Sequence, residues 1–202
     1  MALKRGFRTA AEQLATEVRK ELGLAPSAAV DLREVAGHRG VRVVAADELV
    51  DIERLRDLER IQAFAFSACT FELNGTNVIV INPLRSPARQ VSDLAHELSH
   101  LLIGHQLSEV REVAGSMFRA CRPDEEEEAT TLGATLLLPR PLLLRAAAQG
   151  MDMAAIAQTY GVTMEMARFR YHSTGVAKQM TRLNRFGRAD TNTATVRKPS
   201  SR

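Results

Sequence analysis

Residues 91–105 read VSDLAHELSHLLIGH. Val91, Leu94, Leu98, Leu101 and Leu102 recur at helical spacing, which predicts an amphipathic helix with one apolar side. Three of the chain's five histidines and a glutamate lie inside it. Burying ionisable groups there is costly unless something compensates. His96 and His100 are four residues apart and project side by side from one face. Two imidazoles at that spacing fit adjacent corners of a zinc tetrahedron. Glu97, next to the first of them, can act as general base while the metal polarises a carbonyl and acidifies water. The pattern HExxH on a helix therefore carries a mechanism.

A catalytic zinc site needs a third protein ligand and one open position. His105 lies beyond Gly104, whose missing Cβ suits a left-handed helix end. It also falls five residues after His100, one short of the HExxHxxGxxH spacing. His105 therefore reads as a helix-end histidine facing the C-terminal dipole. The other source is PDEEEEATTLGATLLLP (123–139). Acidic residues suit the first turn of a helix, which accounts for most of these glutamates. Leu132 and Leu136 mark a buried stripe on which Glu128 also falls, with Glu125 one turn earlier. Glu126 and Glu127 are rotated toward solvent on that phase. An inward carboxylate needs a cation, so Glu128 is the expected third ligand and Glu125 the reserve.

Working outward, Ser86-Pro87 opens the histidine helix with an N-cap residue and proline at the first helical position. Upstream, AFAFSA and TFEL read as strands, Asn74-Gly75 is a hairpin turn, and NVIVIN (77–82) is the returning strand. An edge strand beside a metal can pair with an extended peptide, and NVIVIN is the expected one. Phe7 to Leu22 form a helix ended by Gly23, and Asp31 caps a short helix running to about Gly37. VRVVAA (41–46) is a strand, and 47–60 is a short amphipathic helix. A helix from about Asp124 stops at Pro139, and 150–176 hold two short helices around Gly161.

The chain has 202 residues, 45% hydrophobic, with a net charge of +3. That length supports one sizeable core, and the charge is too small to argue for nucleic acid. Two cysteines, Cys69 and Cys121, give no disulfide framework and point to a reducing cytoplasm. Cys69 reads as sheet core, and Cys121, between Arg119 and Arg122, as the more reactive thiol. No stretch has the apolar length of a membrane span or the form of a signal peptide.

The sequence resembles the ImmA/IrrE-type metallo-endopeptidases. The resemblance rests on ELGL, AVDLREVAG, AFSACTF, VIVIN, RQVSDLAHELSHLLIGH, EEEATTLGATLLLP and IAQTYGVTMEMARFRYHSTG, and covers about residues 10–176. It implies Zn2+ held by His96, His100 and Glu128, with Glu97 as catalytic base. It also implies a helix-turn-helix repressor as protein substrate, cut in a stress response or in mobile-element regulation. Thr130 and Leu132 depart from the family's usual Asn and Phe. The expected fold is α+β, a small antiparallel or mixed sheet packed on a zincin-like HExxH helix and further helices. Residues 1–145 form the peptidase domain, 146–184 a helical segment packed on or next to it, and 185–202 a disordered basic tail.

A rival reading takes the segment around Gly161 and MEMARFRYH as a DNA-binding helix-turn-helix. The apolar residues Met164, Phe169 and Tyr171 on its second helix argue instead for packing on the peptidase. A third reading is a zinc-containing scaffold that sequesters a repressor without cutting it. Tyr160, Arg170, Tyr171 and His172 have the right chemistry to stabilise an oxyanion, although sequence does not place them.

Overall fold

Asn74 and Gly75 both adopt positive φ, 51° and 76°, the backbone of a type I′ turn that matches the twist of paired strands. The turn joins β2 (Ala68–Leu73) to β3 (Thr76–Ile81) in antiparallel register, from Leu73 opposite Thr76 to Ala68 opposite Ile81. β1 (Arg42–Ala45) pairs with the other side of β3 in parallel, giving a mixed sheet of order β1-β3-β2. The computed structural model describes residues 3–63, 66–105, 110–113, 116–119 and 122–182. The tail expected from 185, and Cys121, lie outside the described residues.

The sheet order corrects one expectation. β3, the strand expected to offer a free edge, is central and paired on both sides. Its hydrophobic run NVIVIN is that of a strand buried on both faces. Ile79 and Ile81 join the main core, whereas Val80 packs on the opposite face with Val44, Ala46 and Leu55. β2 is the edge strand beside the histidine helix, with no second strand partner among the described residues. Cys69 on β2 is half-buried against the smaller cluster.

Helices supply the remaining layers of this α+β fold. α1 (Phe7–Glu21) and α2 (Leu32–His38) precede β1, and α2 is capped by the Asp31 carboxylate accepting from the Arg33 N–H at 2.8 Å. A 3₁₀ turn (Ala46–Glu48) and α3 (Ile52–Ile61) lead to the hairpin. The loop after β3 is fastened before the histidine helix begins. Arg85 bridges Glu59 and the Phe66 carbonyl at 2.8 Å each, and Asn82 donates to that same carbonyl at 2.8 Å. α4 (Pro87–Leu102) then starts with Pro87 at its first turn, although Ser86 makes no side-chain cap bond.

β4 (Val110–Val113) and β5 (Ser116–Arg119) form a two-stranded antiparallel ribbon ahead of α5 (Pro123–Leu137). α6 (Arg140–Ala148), α7 (Met153–Thr159) and α8 (Met164–Ser173) follow. The ribbon and α6 were not anticipated. Pro141 sits in the first turn of α6, where a missing N–H costs nothing, so a proline-bracketed segment is still helical. Leu142, Leu143, Ile156, Val162 and Ala167 share one apolar cluster with Leu94, Leu98, Leu132 and Leu136. Among the described residues, no helix is long and apolar enough to cross a membrane.

Candidate metal centre

α4 buries Leu94, Ala95 and Leu98 and turns His96 and His100, both half-buried, toward α5. Their Nε2 atoms lie 3.1 Å apart. Glu126 on α5 completes the group, with Oε2 3.1 Å from His96 Nε2 and Oε1 3.5 Å from His100 Nε2. Donors held at 2.0–2.1 Å from a tetrahedral zinc stand about 3.3 Å from one another. The His96–His100 and His96–Glu126 separations match that spacing, and the other carboxylate oxygen lies 3.5 Å from His100, so the residues present fit a zinc ion. His100 is pushed toward its neutral form, first by burial and then by the neighbouring His96. The neutral imidazole is the form that ligates.

Sequence phase selected a different glutamate, and the geometry does not bring it to the histidine pair. Glu128 turns instead toward His105 and Lys4, at 3.1 Å and 2.9 Å. Glu125 sits 3.5 Å from Arg122 near the start of the helix. The physical reason is that α5 is buried around most of its circumference, from Ala129 through Leu137 with only Thr130 exposed. The Leu132–Leu136 stripe therefore does not mark the side facing α4. Gly133 marks that side, because a Cβ there would lie 2.9 Å from the Ala95 carbonyl oxygen and 3.1 Å from the His96 nitrogen. Glu126 is seven residues, two turns, before Gly133 and shares its face. A glycine in mid-helix was the available signal for Glu126.

Thr70 is a second residue that the sequence did not single out. From β2 its hydroxyl donates to Glu97 Oε2 at 2.5 Å, in a buried bond. Glu97 is itself 9% exposed. Thr130, one turn after Glu126, places Oγ1 3.4 Å from His96 Nδ1. His105 does not join the ligand group, yet it is not a bystander at the helix end. Gly104 takes φ 70° and the His105 N–H donates to the His100 carbonyl at 2.9 Å, folding the chain back. The His105 ring then meets His100 with their Nδ1 atoms 2.9 Å apart.

Beside these groups lies a cleft of about 550 Å³, lined by Ser67 and Ala68 at the β2 end, by His96, Glu97 and Glu126, and by Thr163, Met166 and Phe169 of the α8 region. Asp93 also faces it, 7% exposed, paired through Oδ1 with Arg89 at 2.8 Å. Burial raises the Asp93 pKa, and Arg89 only partly opposes this. Tyr160, Arg170, Tyr171 and His172 do not line this cleft. Arg170 is buried and committed to the Leu138 carbonyl at 2.9 Å and to Glu12 at 2.5 Å. α8 and its cap residue Thr163 thus wall one side of the cleft.

Residues 36–172 match a family model described as the IrrE N-terminal-like domain of the peptidase M78 family. Among solved structures, the chain is similar to a Mycobacterium tuberculosis transcriptional regulator, at 21% identity and a TM-score of 0.51. The match covers 83% of this chain and 46% of the regulator, so this chain spans about half of that protein's length. The likeness is one of fold. No curated protein matches the chain.

Proposed function

The chain belongs to the IrrE N-terminal-like peptidase family, and from that premise we propose that it is a zinc-dependent endopeptidase acting on a protein partner. The observation that carries this reading is the His96–His100–Glu126 cluster at tetrahedral spacing beside a buried Glu97. A zinc ion held there supplies Lewis acidity, polarising a peptide carbonyl and acidifying water. Glu97 takes the proton released as water attacks the carbonyl carbon, and passes it to the departing amine nitrogen. Thr70 holds the Glu97 carboxylate for that transfer. The substrate backbone lies along β2, the edge strand whose Ala68 lines the cleft, by main-chain pairing that tolerates varied side chains. Met166 and Phe169 offer an apolar wall to one substrate side chain.

The partner in this proposal is a helix-turn-helix repressor, as the family resemblance implies. The solved neighbour's name, a transcriptional regulator, favours a second reading in which the chain binds a repressor without cutting it. One experiment separates the two. Incubated with a candidate helix-turn-helix repressor, zinc-loaded wild type is expected to cut, and Glu97→Gln to cut about 10²–10⁴-fold more slowly while holding equal zinc. Equal cleavage by the two proteins rejects the mechanism, and binding without cleavage by wild type supports the second reading.

A further inference from the structure

We infer that His105, Glu128 and Lys4 form a positioning relay that sets the tautomer and orientation of the metal ligand His100. The inference rests on the zinc reading above and extends it to residues outside the ligand set. If His100 ligates through Nε2, the atom facing His96 and Glu126, its single ring proton sits on Nδ1. The partner facing that Nδ1 is His105 Nδ1 at 2.9 Å. His105 must therefore accept there and carry its own proton on Nε2. That nitrogen faces Glu128 Oε2 at 3.1 Å, and an ionised carboxylate can only accept there. The other carboxylate oxygen, Oε1, has the Lys4 ammonium 2.9 Å away, near enough to balance charge though poorly aligned for a hydrogen bond.

The ring protons of His100 and His105 then each have one acceptor, and only one tautomer assignment satisfies both. The arrangement is deeply placed: the side chains of His105 and Glu128 are 8% and 5% exposed. A buried carboxylate needs a cation, and with His105 neutral Lys4 is the cation in contact. The same logic explains why Glu128 faces inward without touching the metal. A carboxylate behind a ligating histidine fixes the ring and strengthens it as a ligand, and loss of such a partner typically lowers metal affinity 10–100-fold. His96 has a weaker arrangement, Thr130 at 3.4 Å on the exposed side.

The test uses full-length chain, zinc affinity by chelator competition, and the visible spectrum of the cobalt-loaded protein. His105→Leu is expected to weaken zinc binding about 10–100-fold and to shift the cobalt bands. His105→Asn, whose Oδ1 can accept from His100 Nδ1, is expected to recover most of that loss. Lys4→Met, at an exposed position, should weaken zinc by about two- to fivefold. Zinc affinity within twofold of wild type for His105→Leu, or equal losses in the Leu and Asn variants, overturns the relay. Glu126→Ala, run alongside, separates the two levels. Unchanged zinc affinity in Glu126→Ala sinks the metal-centre reading itself, whereas its loss beside an intact His105→Leu sinks the relay alone.

Discussion

Two hydrogen-bonding side chains reach the C-terminal half of α4 from outside the helix. Thr70 reaches Glu97 from the sheet at 2.5 Å, and His105 reaches His100 from beyond the helix end at 2.9 Å. A bond to a charged group contributes about 1.5–3 kcal/mol. Thr70→Val keeps the shape and removes the hydroxyl, so kcat should fall about 10–100-fold with zinc content unchanged, as steady-state kinetics and metal analysis would show. Undiminished kcat would remove Thr70 from the mechanism. At this scale the sequence was informative where spacing along one helix suffices, hence His96, Glu97 and His100. Thr70 is 27 residues from Glu97 and on a strand, and only the folded register joins them. Glu128, the glutamate expected from helical phase, lies instead against Lys4 and His105.

The pairing of α4 with α5 decides whether two histidines and one glutamate form a site. Gly133 permits that approach, since a methyl there would press on the Ala95 carbonyl at 2.9 Å. The atoms it would meet, Ala95 O and C and His96 N, are α4 backbone, so one helix must shift. Gly133→Ala should cost about 1–3 kcal/mol, seen as a lowered Tm, and should weaken zinc by displacing Glu126. A variant as stable and as tightly zinc-bound as wild type would show that the helices tolerate a wider spacing. Elements with local signals were legible from sequence: the Asn74-Gly75 hairpin, the Asp31 cap and the Pro87 start of α4 each have a short-range cause. Strand order was not. Nothing in NVIVIN distinguishes a central strand from an edge, because its second partner, β1, lies far back in the chain, with Arg42 opposite Val78.

Across the whole molecule, α1 ties the N-terminal and C-terminal halves together through buried charge. Arg19, 0% exposed, donates to the carbonyls of Ala15 and Ala28 and, at 2.7 Å, to Leu136 near the end of α5. Burial lowers its pKa to about 10, which still leaves it charged near neutrality. Glu12 accepts from the Arg140 N–H at 3.0 Å and from Arg170, joining α1 to α6 and α8. These contacts brace α5 from behind, while a zinc ion would join it to α4 in front. Long-range pairs of this kind, 117 residues apart for Arg19 and Leu136, leave no periodic trace in sequence. In the proposed metal centre one zinc is held between these two helices by His96, His100 and Glu126. Zinc content per chain, measured after equilibration with a competing chelator, tests it most directly in wild type and Glu126→Ala. One zinc per wild-type chain and a near-complete loss in Glu126→Ala are expected; equal zinc in both proteins, or none in wild type, would contradict that centre.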